Sequence, residues 1–139
     1  MLTTVLDVLV AVGAGLVGGV FLAFSAAVMP ALRRRPPAEG AAVMREVNRV
    51  ILNPVFLGVF LGTAVASAAV LLVGDLAGRI AGLLYLLGSF GVTIAANVPL
   101  NNRLDAEGEP VWAHYLTRWT AWNHARTVAC AAAAVLAAL

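Results

Sequence analysis

WAHYLTRWTAWNHART, residues 112–127, combines three tryptophans, two histidines and two arginines with a tyrosine and an asparagine, directly before the final apolar run. A helix needs about 20 residues to cross a hydrocarbon layer of about 30 Å. Counted back from Leu139, a last membrane span should therefore begin near Trp119. Asn123, His124 and Arg126 would then lie inside the bilayer, where ionisable groups are costly unless they face a protein interior. This placement predicts a functional site in the last helix.

The composition is that of a membrane protein. Hydrophobic residues make up 62% of the chain and charged residues only 12%, whereas soluble domains carry about 25% charged residues. The 139 residues are enough for one domain, residues 1–139. The net charge is +2, every basic residue is an arginine, and eight of the nine arginines lie near a helix end or in a connection. This pattern indicates membrane topology and lipid surroundings rather than nucleic-acid binding.

The apolar segments predict an all-α fold, a four-helix transmembrane bundle with short interfacial helices on the cytoplasmic side. The expected spans are residues 4–29, 51–73, 80–100 and 119–139, and the expected interfacial segments are residues 38–50 and 110–118. Pro30 and Pro99 are expected to mark the ends of the first and third spans.

Arginine bias predicts the orientation. Seven arginines fall in the first and third connections, namely Arg33, Arg34, Arg35, Arg45, Arg49, Arg103 and Arg118. The second connection holds only Arg79. The positive-inside rule therefore predicts that both termini lie outside. Two small-xxx-small pairs, Gly15 with Gly19 and Gly58 with Gly62, would allow close helix packing within the chain or in a homo-oligomer.

An aromatic stripe leads to the deep arginine. Trp112, Tyr115, Trp119, Trp122 and Arg126 follow steps of three, four, three and four, so a continuous helix places them on one face with Asn123 beside it. One interpretation is an aromatic slot for a flat ligand, with Arg126 at its floor. The other is an aromatic belt at the membrane interface, with the arginine extending to the headgroups. With no acid in the same leaflet, a buried Arg126 would be free to hold a ligand's negative charge.

The third span carries a second polar stripe. Tyr85, Ser89, Thr93 and Asn97 are spaced by four residues and share one slowly drifting face. Asn97 and Asn101 would either point inward as hydrogen-bond donors or cap the end of the helix.

The histidines favour acid–base chemistry over metal binding. His124 lies two residues from Arg126, and a neutral imidazole there would be a base. His114 and His124 have no nearby Cys, Asp or Glu, so the sequence predicts no metal site. Cys130 lies in an alanine run and is expected to be a packing residue.

Four motifs carry a family resemblance: FLAFSAAVMPAL at residues 21–32, Asn53-Pro54, NVPLN at residues 97–101, and WNHxR at residues 122–126. With these motifs the chain resembles the anthrone oxygenase-like family of small four-helix membrane proteins. The resemblance covers nearly the whole chain. It implies an integral protein of the bacterial inner membrane in a family whose bacterial members mostly lack an assigned activity. Some members oxidise anthrones to anthraquinones with O2, and the resemblance implies no cofactor.

The resemblance suggests roles for the polar and aromatic residues. An anthrone is flat and apolar, and loss of a methylene proton gives an electron-rich enolate. In this hypothesis His124 is the base, Arg126 and Asn123 hold the oxyanion, and the remaining candidates bind the rings and their substituents, namely Asn97, Asn101, Trp112, Tyr115, Trp119 and Trp122. Two alternatives remain: a non-catalytic binder of a hydrophobic molecule or lipid, and a structural subunit of a membrane complex.

Overall fold

The computed structural model describes residues 1–139 as five helices without a strand. They are α1 (Leu2–Arg33), α2 (Pro37–Val50), α3 (Pro54–Val73), α4 (Leu76–Glu107) and α5 (Trp112–Ala137). The predicted all-α class is confirmed. By length and composition, α1, α3 and α4 are able to cross a membrane.

The last helix differs from its prediction. It begins at Trp112, so residues 110–118 form no separate interfacial helix, and only a short 3-10 turn precedes it. Gly108, with φ of 69°, makes the sharp turn out of α4, and nothing after Pro110 interrupts the helix. Polar side chains fill the first half of α5, which is why it is not among the three helices apolar enough to span. Length and composition thus support three of the four predicted spans.

The four long helices pack antiparallel, each beside its neighbour in sequence, and α5 packs most extensively against α1. The shorter α2 lies across one end of this bundle. There a cluster of buried side chains joins α2 to α5 and to the ends of α1 and α4; it includes Met29, Ala41, Met44, Leu104, Trp112 and Trp119. At the opposite end Val10, Val70, Ala81 and Ala137 close the core.

Capping residues set two helix starts that differ from the predicted boundaries. Asn53 accepts hydrogen bonds from the backbone N–H groups of Val55 and Phe56, both at 3.0 Å, so α3 begins at Pro54 rather than at residue 51. Asp75 accepts from the N–H of Gly78 at 2.9 Å. This cap starts α4 at Leu76, one turn before the predicted residue 80.

Two prolines do not end their helices as predicted. A π-helical turn, Phe24–Val28, precedes Pro30, and another, Thr93–Asn97, precedes Pro99. A proline inside an α-helix lacks an N–H and clashes with the preceding turn. The wider i→i+5 turn accommodates both problems, so α1 and α4 continue past the predicted ends at residues 29 and 100.

The small-xxx-small glycines do not serve packing within the chain. Added Cβ atoms would meet open space at all four positions, Gly15, Gly19, Gly58 and Gly62. The close approaches use Gly13, against Thr63, and Gly18, where a Cβ would lie 2.8 Å from that of Cys130. Because each helical residue turns by about 100°, Gly15 and Gly13 face different directions. Cys130 is buried in this contact, as predicted.

Candidate functional site

A cavity of about 330 Å³ opens at the end of the bundle that α2 covers. Side chains from all five helices line it. The apolar walls include Phe21, Phe24, Phe56, Phe60 and Trp119, and the polar lining includes Arg45, Asn48, Arg49, Thr93, Asn101, Asn102, Asp105 and Arg126. Arg126 is buried, whereas Arg49 and Asp105 are more than half exposed. The cavity therefore has a buried floor at Arg126 and an exposed mouth beside α2.

Arg126 is a buried cation that has no carboxylate partner. Only 5% of the residue is exposed, and it takes part in none of the ion pairs of the chain. Its Nη1 donates to Thr93 Oγ1 at 3.0 Å and its Nη2 to Asn123 Oδ1 at 2.7 Å. Its Cζ lies 4.0 Å from the ring centroid of Phe21 and 5.2 Å from that of Trp119. Neutral groups and aromatic faces orient this charge and leave it uncompensated.

The two acceptors of Arg126 are themselves held. Asn123 is fully buried, and its Nδ2 donates to the carbonyl of Phe21 at 2.7 Å and to Ser25 Oγ at 2.6 Å. This leaves only its Oδ1 for the guanidinium. The Thr93 hydroxyl donates its proton to the carbonyl of Ser89 at 2.8 Å, so its lone pairs must face Arg126. The guanidinium is thus fixed by a network that reaches α1 and α4.

The π-helical turns contribute to this network. Ser25 lies in the wide turn that precedes Pro30 in α1, and Thr93 begins the wide turn that precedes Pro99 in α4. In a regular α-helix a four-residue stripe drifts by about 40° per step. The wide turns offset this drift, so the predicted stripe still points inward at Asn97. π-turns are frequent at functional sites.

The predicted slot is formed in part. Trp112, Tyr115 and Trp119 stack in a column, with ring centroids 5.7 and 6.0 Å apart, and only Trp119 reaches the cavity. Asn101 lines the cavity. Asn97 is buried behind the wall, where its Nδ2 donates to the carbonyl of Trp119 at 3.4 Å. It does not cap the helix, because α4 continues beyond it.

Two residues that were predicted to belong to the site lie outside the cavity. His124 is exposed on the outer face of α5, and Trp122 is 39% exposed at the edge of that face. Neither residue lines the cavity. The two-residue step from His124 to Arg126 turns the helix by about 200°, which separates their faces. His114 is exposed as well. Nowhere do three His, Cys, Asp or Glu side chains lie close enough to hold a metal ion.

Several site residues were not among the sequence candidates. Phe21 and Ser25 contact the site from the first helix, and Asn48 reaches it from α2. Thr93 was noticed only as part of the four-residue stripe. Among these missed residues, Thr93 alone carried a sequence signal, the strict four-residue spacing of its stripe.

The mouth is lined by charges that neutralise one another. Arg45 Nε donates to Asp105 Oδ1 at 3.3 Å, and Arg49 Nη2 donates to the same oxygen at 2.9 Å. Glu46 lies 3.7 Å from Arg49. These exposed pairs join α2 to α4, and solvent screening makes each of them weak.

Comparison with known proteins gives one match. A family model described as anthrone oxygenase matches residues 41–136, well over half of the chain. The matched region contains every residue that lines the cavity except those contributed by α1. No curated protein and no solved structure matches the chain.

Proposed function

The chain belongs to the anthrone oxygenase family, and we propose that it oxidises a flat, apolar polycyclic aromatic of the anthrone class with O2 inside the cavity. Two features support an aromatic substrate. The apolar walls include four phenylalanines and one tryptophan, and the volume of about 330 Å³ is within the range of small-molecule sites. An apolar substrate would enter from the lipid phase near the mouth.

The observation that carries the proposal is the uncompensated charge of Arg126. A buried cation without a carboxylate is costly, and an anionic oxygen in the cavity would offset that cost. The enolate of an anthrone has such an oxygen only after proton loss. Arg126 would therefore bind the enolate more strongly than the neutral substrate, which is the requirement for catalysis.

The reaction converts an anthrone and O2 into an anthraquinone and water. The methylene carbon loses a proton, and the enolate passes one electron to O2. The two radicals combine to form a C–O bond at the former methylene carbon. The peroxide then takes up a proton, and its carbon loses the second methylene hydrogen as a proton while the O–O bond breaks. Hydroxide leaves and combines with that proton as water, and the carbon becomes the second carbonyl. Arg126 holds the oxyanion, Thr93 and Asn123 orient the guanidinium, and Phe21 and Trp119 hold the rings and exclude water.

The proton acceptor in this proposal is Asp105. A base must come within hydrogen-bond reach of the proton that it removes, and His124 faces away from the cavity. Asp105 is the one carboxylate that lines the cavity. Its ion pairs with Arg45 and Arg49 keep it ionised, and its position at the mouth allows the proton to pass to water.

The proposal includes a membrane arrangement with four crossings and both termini outside. In support, α5 packs along α1 and turns Arg126 inward, away from lipid. The arginine-rich connections all lie at the α2 end. The positive-inside rule then gives a cavity at the cytoplasmic leaflet of the bacterial inner membrane.

The test is quinone formation from anthrone by the purified protein in nanodiscs, under O2 and under argon, against a protein-free blank. We expect one O2 consumed per quinone formed. Arg126→Gln should lower kcat/KM by about 10²–10³-fold, because a charged donor to the oxyanion is lost. Arg118→Gln is the matched control, since Arg118 is exposed on the same helix and does not line the cavity.

Two results would count against this function. Wild-type protein that binds anthraquinone without turnover would be a binder, and equal activity in Arg126→Gln and Arg118→Gln would remove the guanidinium from the mechanism.

A further inference from the structure

Tyr115 joins two amides that line the cavity. Its hydroxyl donates to Asn101 Oδ1 at 2.7 Å and accepts from Asn48 Nδ2 at 3.3 Å. The tyrosine itself is buried and stacked between Trp112 and Trp119. Its hydroxyl therefore connects α2, α4 and α5 directly behind the cavity wall.

The single proton of the phenol determines which hydrogen-bonding groups of the two amides remain free. Because the one proton of Tyr115 is donated to one amide, the other amide can only donate to the phenol oxygen. The remaining groups are the Oδ1 of Asn48 and the Nδ2 of Asn101. Exchanging the two amide orientations would again leave one oxygen and one NH2 group. The cavity is thus always offered one acceptor and one donor.

Both remaining groups are available to a ligand. Neither the Oδ1 of Asn48 nor the Nδ2 of Asn101 has a hydrogen-bond partner in the protein. Unlike Asn97 Oδ1, which is buried without a partner, these two atoms are not buried. They are therefore accessible, and both residues line the cavity. Because both amides contact the same phenol oxygen, they lie close together.

We propose that Asn48 and Asn101 bind a hydroxyl group on the ring edge of the substrate. This inference rests on the proposed function for the aromatic class of the ligand. A hydroxyl donates one hydrogen bond and accepts another, so it matches both amides at once, whereas a carbonyl matches one and a C–H edge matches neither. Tyr115 is a positioning residue that holds the pair. The oxygen at Arg126 and the hydroxyl at the amides together set the orientation of the rings.

The test measures binding without turnover. Anthraquinone and 2-hydroxyanthraquinone are titrated into the purified protein in mildly acidic buffer, where the hydroxyl keeps its proton, and quenching of tryptophan fluorescence gives each Kd. We expect the hydroxylated quinone to bind about tenfold more tightly to the wild type, the effect of two added hydrogen bonds. Tyr115→Phe should abolish this preference and leave the Kd of anthraquinone nearly unchanged.

Tyr85→Phe is the matched control, because its hydroxyl is equally buried and donates to the carbonyl of Phe60 at 2.9 Å, apart from the two amides. It should keep the tenfold preference. Asn101→Leu is a second variant that should lose this preference while leaving Tyr115 and its stacked neighbours unchanged.

Equal affinities in the wild type, or a preference that persists in both Tyr115→Phe and Asn101→Leu, would overturn the assignment. Failure of the wild type to bind either quinone would instead refute the proposed function and this inference with it.

Discussion

The floor and the mouth of the cavity both carry arginine, in opposite settings. Arg126 at the floor is buried and bonded only to neutral groups and aromatic faces. Arg45 and Arg49 at the mouth are exposed to solvent and share the carboxylate of Asp105. With Glu46 beside Arg49 as the second acid, the mouth is locally neutral, whereas the floor keeps a positive charge.

The contrast separates two uses of the same side chain. At the mouth the pairs are exposed and contribute little to stability, and the buried cluster with Met44 and Trp112 is what holds α2 over the bundle. At the floor the protein accepts the cost of burying a charge without neutralising it. Such a cost is consistent with a ligand that becomes negative during the reaction. Giving the floor a carboxylate, or removing the one at the mouth, would test this difference.

The largest effect is expected from giving the floor its own acid. In Thr93→Asp a carboxylate would lie beside Arg126 Nη1, which now contacts the Thr93 hydroxyl at 3.0 Å. The guanidinium would be neutralised, and turnover of anthrone should fall by at least about 100-fold with Arg126 still present. Thr93→Asn has nearly the same size without the charge and should retain far more activity. Comparable activities in the two variants would mean that the free charge is not what matters.

A smaller effect is expected at the mouth. Asp105→Asn removes the proposed proton acceptor, and kcat should fall by about tenfold to 100-fold while the Kd of anthraquinone stays within about twofold. Glu46→Gln is the control, because Glu46 also pairs with Arg49 but does not line the cavity. If both variants keep wild-type kcat, the proton leaves by another route.

The smallest effect is expected from Arg49→Gln. Its side chain is 60% exposed and its partner Asp105 keeps Arg45. We expect turnover within about twofold of wild type and a melting temperature within about 2 °C, because exposed ion pairs contribute little. A large loss of activity here would show that the mouth charges act on the substrate directly, and the contrast with the floor would disappear.

Most of the site residues that the sequence predicted lie on one helix, α5. Spacing of three and four residues correctly placed Trp119, Asn123 and Arg126 on an inward face. The same pattern was too coarse to exclude Trp122 at its edge, and chemistry rather than geometry led to His124. The partners of these residues could not be predicted, since Asn123 and the carbonyl of Phe21 are 102 residues apart in sequence.

The fold shows a similar division. Apolar runs were enough to predict an all-α membrane-type chain, because hydrophobicity and helix length are local properties. The ends of the helices could not be predicted in this way, since the prolines at positions 30 and 99 lie inside continuous helices. Whether a proline ends a helix depends on the width of the turn before it, and that width is set by packing against other helices.

The wide turns have a consequence for how the cavity is encoded. Each holds one residue more than an α-turn, so deleting a single residue such as Ala26 would convert it to regular geometry. The helix beyond it would stay close to its present place, because a wide turn of five residues and an α-helical stretch of four cover nearly the same rotation. A deletion in a regular stretch of α1 has no such outlet, and everything beyond it would rotate by about 100° and shift by about 1.5 Å. The cover formed by α2 would then be aimed away from the opening. In this protein the cavity depends on the register of the backbone as much as on the identity of any side chain.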